Sequence, residues 1–552
     1  MNDAVPAPRP AAVSGPVALS RELSPGERWY WIIDQLSTLN VCARVRVEGD
    51  VSVARLRAGL AALAARHPQL RAAILAPATP GGGPRFVPTT RPIPLREVHL
   101  GDLQPDRWVS EVDAREFTES VDWAGGPLAR AVVISHPGQV HDLILTVPHV
   151  IADGTTALAL LRQWVRLAHD SPTTPAGLDT PTSPAGLDTP TAQDTPAASA
   201  ELEGSAERDG SAGPVGPVGP VGSAVRVGPV GVVGSGGEGG GGGGVVEGFE
   251  PFEALFPEPF RLGAVSGHDD GPDPGDGPDP GDGPGPGAGT GGGAGGGGGV
   301  DDGGGGVAGR LVPEVFVPFA QRRTRVLHRS IGAGDLRRLV GVCKQQGATL
   351  HGVLAAALAC AVARDAGAVP GAPFAVGSPL SLREELSRPV GQDEAGCFVS
   401  ALHSVVDQRP DDLWTMARFI KDDLATRRKA GEQYGVFHLL AAQGPAGVAD
   451  SEPFIRYFEE NGPFNFFVSN IGRFDFPDTA GTWRMSQAQF VGGISVVGYF
   501  GSSVTTSHGR LAWNFTYIDR AVAADRAERI ADTALALLHD ATTTAAGAAG
   551  GS

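Results

Sequence analysis

The residues best suited to chemistry lie in the stretch VPHVIADGTT, residues 147–156. It places His149 four residues before Asp153, with Gly154 directly after, at the end of an apolar run. A histidine whose pKa is about 6.5 can remove a proton from a hydroxyl or amine and return it to a leaving group. The same spacing is also typical of a hydrogen-bonded structural histidine at a strand end. The neighbouring elements therefore decide between the two interpretations.

Those elements place the motif on a turn between a strand and a helix. The nearly continuous apolar run VHDLILTVP predicts a buried central strand, and ALALLRQWVRLAHD after the motif predicts a helix. Such turns are where α/β folds expose reactive groups. Gly154 would give the turn conformational freedom, and Thr155 or Thr156 is available to cap the helix. Upstream, VCARVRVEG alternates apolar and polar residues and predicts a half-buried strand.

The second half of the chain contains its own strands and helices. TLHGVLAAALACAVAR predicts a helix packed closely on a sheet, and FAVGSPLSL, CFVSALHSVV and FNFFVSNIG predict strands. A hairpin is expected to turn near His508, and a last helix is expected from about Arg520 to His539. Both halves therefore belong to the α/β class.

Between the halves the composition changes abruptly. Residues 170–310 are repetitive and rich in Gly and Pro, with too few apolar side chains to offset the entropy of ordering the backbone. The sequence predicts a disordered N-terminus (1–16), an N-terminal lobe (17–169), this low-complexity acidic linker (170–310), a C-terminal lobe (311–541) and a disordered tail (542–552). Within the linker, FEPFEALFPEPFRL (residues 249–262) holds four Phe, so we expect it to dock on the folded body or to act as a short binding motif.

Charge and cysteine content limit the kinds of partner, site and compartment that we expect for this chain. The linker holds 21 Asp and Glu against 4 Arg, which accounts for the formal net charge of −17 of the whole chain. The remaining residues are close to neutral, so we expect no nucleic-acid partner. No apolar run reaches the ~18 residues of a membrane helix. The four cysteines lack CxxC spacing, which predicts buried thiols and no metal site, in a cytoplasmic protein.

With these elements in order, the chain resembles the HxxxD(G) acyltransferase superfamily, which includes chloramphenicol acetyltransferase and the condensation domains of nonribosomal peptide synthetases. The similarity is closest to the polyketide-associated (phthiocerol dimycocerosyl transferase-like) and alcohol acyltransferases. The stretches that carry the resemblance are LRAGLAALAARHPQLRAAI, PHVIADGTTALALLRQW, ATLHGVLAAALACAVAR with GSPLSLREEL, and FFVSNIGRF.

The resemblance implies an α/β fold of two chloramphenicol-acetyltransferase-like lobes with a tunnel between them, joined by the long disordered Gly/Pro-rich insertion. It implies that His149 is the general base, that Asp153 is structural and pairs with Arg383, and that Gly154 permits the turn. It places Ser469 and Asn470 beside the tunnel, where they would hold the acyl group or the oxyanion.

The implied reaction moves an acyl group from a thioester to a hydroxyl or amine acceptor, within secondary metabolism. The co-substrate would be acyl-coenzyme A or an acyl group on the phosphopantetheine of an acyl carrier protein, with no tightly bound cofactor and no metal. The acceptor would be a small molecule.

Two alternatives remain open at this point. One is a condensation-type enzyme that forms an amide between two carrier proteins. The other is a catalytically silent relative that recruits a partner, since many members carry two histidines and Pro148 replaces the first of them here. An open tunnel with the His149 imidazole facing it would favour an enzyme, and a tunnel filled by side chains would favour the silent relative.

Overall fold

The computed structural model describes residues 18–77, 82–171, 250–258, 260–262 and 308–550, with side chains through residue 545. The expected disordered N-terminus and most of the linker expected at 170–310 lie outside the described residues. The helices are α1 (Pro25–Leu36), α2 (Val53–Arg66), α3 (Arg107–Glu111), α4 (Gly154–Asp170), α5 (Ala333–Gln345), α6 (Leu350–Asp365), α7 (Leu413–Lys429), α8 (Gly435–Gln443), α9 (Ser451–Asn461) and α10 (Ala524–Gly550).

The strands in chain order are β1 (Arg21–Glu22), β2 (Asn40–Glu48), β3 (Ala72–Leu75), β4 (Arg85–Pro88), β5 (Leu95–His99), β6 (Arg130–His136), β7 (Val140–Pro148), β8 (Thr324–Ile331), β9 (Pro373–Ser381), β10 (Val399–Asp407), β11 (Phe466–Arg473), β12 (Thr479–Ala480), β13 (Trp483–Gly492), β14 (Phe500–Ser507) and β15 (Arg510–Ile518). They form two six-stranded sheets and one small three-stranded sheet, β1-β4-β3. The expected hairpin is present, with β14 and β15 joined at His508 and Gly509. The α/β class and the two-lobe architecture are confirmed.

The first sheet has the order β12-β13-β2-β7-β6-β5, and the long helix α4 packs against β2, β7 and β13. The sequence predicted β2 as half-buried, but all of its residues except Glu48 are buried. The prediction was wrong because Arg44 and Arg46, whose polarity suggested a solvent face, both form ion pairs with Asp142 on β7. A buried charge is tolerated when it is paired in this way.

The second sheet has the order β10-β9-β11-β14-β15-β8, and β11 runs parallel to both of its neighbours. Helix α6 packs on β9 and β11, and α7 and α10 pack against α6. Every residue of α6 from Gly352 to Ala363 is buried, as its small-residue sequence predicted. This sheet and its helices form the largest apolar core of the described chain.

The chain does not divide into two contiguous lobes at the boundaries that the sequence suggested. Strands β12 and β13 belong by sequence to the C-terminal part, yet β13 pairs antiparallel with β2 in the first sheet. The second half thereby supplies two strands of the N-terminal lobe. The last helix also runs on to Gly550, beyond the end near residue 541 that the sequence suggested, because alanine is the best helix former and the tail is rich in it.

The segment comprising residues 250–258 and 260–262, called here the docked segment, packs on the folded body. Phe252 and Phe256 are buried against Tyr434 and Phe437, with ring centroids 4.8 to 5.3 Å apart in the three closest of these contacts. The Glu253 carboxylate accepts hydrogen bonds at the N-terminus of α1. Phe252, Glu253 and Phe256 are therefore used in packing rather than exposed to solvent.

Two further observations concern the cysteines and the helices. All four cysteines are free and buried, as predicted. No single helix within the described ranges is long and apolar enough to span a membrane; α5 and α6 qualify only as a pair that bends by 99° at its junction.

Candidate active site

The motif turn starts where β7 reaches the edge of the first sheet. The last residue of β7, Pro148, is aligned with Asn40, the first residue of β2. A proline has no amide hydrogen to give to a strand ladder, so it fits this end position. The next amide hydrogen, that of His149, is donated to the carbonyl oxygen of Leu39 at 3.0 Å. The backbone of His149 is therefore fixed although the strand has ended.

Asp153 joins the motif turn to the second lobe. Its Oδ1 accepts from the amide of Thr156 at 2.7 Å, which makes Asp153 the N-cap of α4. The sequence suggested Thr155 or Thr156 for that role, and this was wrong because the helix already begins at Gly154, directly after Asp153. The other oxygen, Oδ2, accepts from the amide of Phe398 at 2.9 Å. The buried carboxylate that caps α4 thus also holds Phe398, the residue immediately before β10.

The Arg383 guanidinium lies beside this carboxylate, with Nη2 3.7 Å from Oδ1 of Asp153. Its closer partners are neutral: Nη2 donates to the hydroxyl of Thr156 at 2.6 Å, and Nη1 donates to the carbonyl oxygens of Gly391 and Glu394 at 2.7 and 3.1 Å. The structure therefore brings together the two residues that the resemblance pairs. Arg383 organises the loop before β10 as much as it balances Asp153.

Gly154 is required for space rather than for an unusual backbone angle. It is not among the described glycines with positive φ, so the conformational freedom expected from the sequence is not what the position needs. A Cβ placed there would lie 2.6 Å from the Phe490 ring, well inside contact distance. Phe490 lies on β13, the strand that crosses from the C-terminal half.

The imidazole of His149 is held between an aromatic ring and a thiol. The Tyr30 ring stacks on it with the centroids 4.5 Å apart and the planes 5° from parallel. The Cys397 Sγ lies 3.4 Å from Nδ1. Burial lowers the pKa of His149 below its usual 6.5, while a hydrogen bond to its own backbone and the charge of Asp153 act in the opposite direction. The ring is therefore neutral at pH 7 and able to accept a proton.

This imidazole lines a cavity of about 300 Å³ whose walls come from both lobes. The first lobe contributes His149 and the motif turn, and the second contributes the ends of β9, β10 and β11. Ser469 and Asn470 lie in the β11 wall, as the resemblance implies. The Asn470 Oδ1 accepts from the amide of Gly472 at 2.8 Å, which stabilises an irregular step in the pairing of β11 with β14.

A second apolar space adjoins this cavity. It has a volume of about 310 Å³ and extends between α8, α9 and the loop before β14. The residues that line both spaces are Trp29, Ala401, Val436, Leu440, Phe464 and Val497. Among the residues that the structure describes, no group of three or more His, Cys, Asp or Glu side chains could hold a metal ion.

Three residues at this site were not identified from the sequence. Tyr30 and Cys397 contact the imidazole, and Phe398 supplies the amide that Asp153 accepts, with its ring 4.4 Å from the Arg383 guanidinium carbon. Tyr30 is more than 100 residues from the motif, and the other two are more than 200 away. No spacing rule connects them to His149, so only the tertiary structure reveals them.

Comparison with known proteins agrees with this architecture. The family described as "Phthiocerol/phthiodiolone dimycocerosyl transferase C-terminus" matches residues 329–484. Surfactin synthase subunit 2 of Bacillus subtilis (strain 168) is 28% identical over 138 residues, which is 24% of this chain and 4% of that protein. A malformin synthetase of Aspergillus vadensis is 29% identical over 139 residues, 25% of this chain and 3% of that protein. The chain thus spans only a small part of these curated relatives.

Solved structures match over nearly the whole chain. The epimerization domain from the third module of tyrocidine synthetase B has a TM-score of 0.55 at 12% identity, covering 96% of this chain and 98% of that one. Polyketide synthase associated protein 5 from Mycobacterium tuberculosis has a TM-score of 0.50 at 16% identity, covering 96% of this chain and 100% of that one. At such low identity these likenesses establish the fold. Together with the matched C-terminal segment, they confirm the resemblance seen in the sequence: the chain matches the superfamily of condensation-domain-like and polyketide-associated acyltransferases.

Proposed function

We propose that the protein transfers an acyl group from a thioester to a hydroxyl or amine acceptor, with His149 as the general base. The observation that carries this proposal is the position of the His149 imidazole, fixed at the end of β7, in the wall of an open cavity formed by both lobes. An open cavity with the imidazole in its wall supports an enzyme over a silent relative. The same reaction class is consistent with the superfamily that the chain matches.

The chemical step needs no other proton carrier. His149 takes the proton from the acceptor hydroxyl or amine, and the acceptor oxygen or nitrogen forms a bond to the thioester carbonyl carbon. The carbon–sulfur bond then breaks, and the imidazolium returns its proton to the departing thiolate. Ser469 and Asn470 are two of the polar residues that the second lobe contributes to the cavity wall, and we assign them to the developing oxyanion.

The cavity walls suggest an apolar acyl group. The space around His149 shares part of its wall with the second apolar space along α8 and α9, which Leu439, Phe454 and Phe458 line. Burial of methylene groups there would contribute about 0.8 kcal/mol each. The donor would be coenzyme A or a carrier protein bearing phosphopantetheine.

The test is product formation by the purified full-length protein. It is incubated with acyl-coenzyme A donors of increasing chain length, and separately with carrier-loaded donors, in the presence of alcohols or amines, and products are identified by mass spectrometry. His149→Gln is compared with the wild type and with His351→Gln, which removes a different imidazole that hydrogen-bonds to Ser378 in the second lobe.

We expect acylated product from the wild type and from His351→Gln, and at least a ~100-fold loss in His149→Gln. Esters would identify an alcohol acyltransferase, whereas amides formed only from carrier-bound partners would identify the condensation-type alternative. Equal product from wild type and His149→Gln would contradict the role given to His149. No product with any donor would favour the recruitment alternative.

A further inference from the structure

Cys397 lies directly behind the imidazole of His149, and the reaction as described does not use it. Its Sγ is 3.4 Å from Nδ1, and only 6% of the residue is exposed. The thiol also lies close enough to the Tyr30 hydroxyl and to the Val399 amide for these groups to affect its pKa. A neutral thiol carries one proton and can also accept one, so the sulfur is able to pair with Nδ1 as an acceptor.

The second acceptor near the same nitrogen is the backbone of the histidine. The ring of His149 forms a hydrogen bond with its own backbone that raises its pKa. A hydrogen bond that favours the protonated ring is one in which the ring donates. A neutral imidazole carries one proton, on either Nδ1 or Nε2, and the partner of one nitrogen determines which. Acceptors around Nδ1 therefore favour a proton on that nitrogen.

The Tyr30 ring fixes the plane of the His149 imidazole and therefore the direction in which Nδ1 points. It stacks on the imidazole almost in parallel, with the ring planes 5° apart. Tyr30 is itself positioned by α1, whose first turn is closed by reciprocal hydrogen bonds between Ser24 and Glu27. A rotation of the imidazole would break the stacking and move Nδ1 away from the sulfur.

We propose that Cys397 is a positioning residue, whose sulfur accepts the Nδ1 proton of His149 and so keeps the Nε2 lone pair available to the acceptor. This inference rests on the proposed role of His149 as the base. Cys397 itself is not a nucleophile. Burial raises the pKa of its thiol well above the usual value, and the residue lines a separate charged cavity behind the turn instead of the cavity around His149.

The tautomer of His149 can be observed without any substrate. Full-length protein labelled with ¹⁵N in its histidine rings is examined by NMR at pH 7.5, and the His149 signals are identified by their loss in His149→Gln. We expect a protonated Nδ1 and an unprotonated Nε2 in the wild type. Cys397→Ser keeps an acceptor at this position and should retain that pattern, whereas Cys397→Ala should increase the Nε2–H population. Cys343→Ala, at a buried cysteine in α5, is the matched control.

Kinetics gives the second measurement. We expect kcat of Cys397→Ala to fall about tenfold with KM changed less than about twofold, which corresponds to the loss of one net hydrogen bond. Cys397→Ser and Cys343→Ala should stay within about threefold of the wild type. A wild-type His149 protonated on Nε2 would overturn the proposal, and so would an unchanged tautomer in Cys397→Ala. If His149 is not the base, all variants lack His149-dependent activity while the NMR result still reports on the sulfur contact, so the two failures are distinguishable.

Discussion

The two carboxylate oxygens of Asp153 accept hydrogen bonds from two different amides, and replacing this residue by asparagine removes one of these two acceptors. Oδ1 caps α4 through the amide of Thr156, and Oδ2 accepts from the amide of Phe398 in the second lobe. Asparagine is as good an N-cap as aspartate. However, its side chain has only one acceptor oxygen, so one of these two amides loses its partner and faces an NH₂ group instead.

The magnitude follows from that loss. A buried donor without an acceptor costs ~1–3 kcal/mol, and Asp153 is only 5% exposed. The nearby Arg383 guanidinium keeps its hydrogen bonds to Thr156 and to two backbone carbonyls, so its contribution to the change is small. We therefore expect Asp153→Asn to lower the free energy of unfolding by about 2 kcal/mol.

The chain contains a matched control for this change. Asp412 caps α7 through the amide of Thr415 at 3.2 Å, three residues on, in the same arrangement as Asp153 and Thr156. No second hydrogen bond to its carboxylate is found among the described residues. Asp412→Asn should therefore change the free energy of unfolding by less than ~0.5 kcal/mol.

The assay is urea unfolding of the wild type and both variants, followed by tryptophan fluorescence. Trp164, buried on α4, reports on the helix that Asp153 caps. Equal shifts of the unfolding midpoint in Asp153→Asn and Asp412→Asn would refute the reasoning, because the bond between Asp153 and the second lobe would then contribute nothing.

Further predictions concern four other positions. Gly154→Ala should lower the free energy of unfolding in urea by ~1–3 kcal/mol, because its Cβ would meet the Phe490 ring. The double variant Gly154→Ala with Phe490→Leu should recover part of that loss. Asp142→Asn should lower the free energy of unfolding by ~3–5 kcal/mol in the same assay, since it leaves two buried arginines without their ion-pair partner. A free energy of unfolding equal to that of the wild type would contradict this. Because burial lowers the pKa of His149, kcat/KM should rise with pH through a value below 6.5 and be level at pH 7; a midpoint above 6.5 would contradict it. Burial and the charge of Glu27 raise the pKa of Glu253 from 4.5 to about 7, so docking of its segment should weaken as pH rises from about 4.5 to about 7. Tryptic cleavage at Arg261 should then rise from pH 5 to pH 8 relative to Glu253→Gln, and a constant ratio would contradict it.

The parts of the fold that the sequence predicts are those determined by local periodicity. The apolar run before His149 and the helical pattern after it correspond to β7 and α4, so the turn that presents the histidine was predicted correctly. The hairpin of β14 and β15 was also predicted, because alternating strands around a Gly turn indicate a hairpin without reference to distant residues.

Features that depend on distant partners were not predictable in the same way. The burial of Arg44 and Arg46 requires Asp142, which lies about 100 residues away on the neighbouring strand. In isolation, arginine at every second position indicates a solvent face, which is why β2 was predicted as half-buried. The crossing of β13 into the first sheet is equally non-local, since its own sequence gives no sign of which sheet it joins.

The candidate site likewise combines residues that a local motif reveals with residues that only the tertiary structure brings together. His149, Asp153 and Gly154 lie within six residues and are visible as a motif, but each is constrained by a residue from the C-terminal half: Cys397 beside the imidazole, Phe398 on the carboxylate and Phe490 against the glycine. An imidazole at an interface between lobes needs both lobes to fix its orientation, because the strand that carries it ends one residue earlier. Two of the three constraints come from Cys397 and Phe398, the adjacent residues immediately before β10. A change in that short segment should therefore disturb the position of the imidazole and the stability of the lobe interface together.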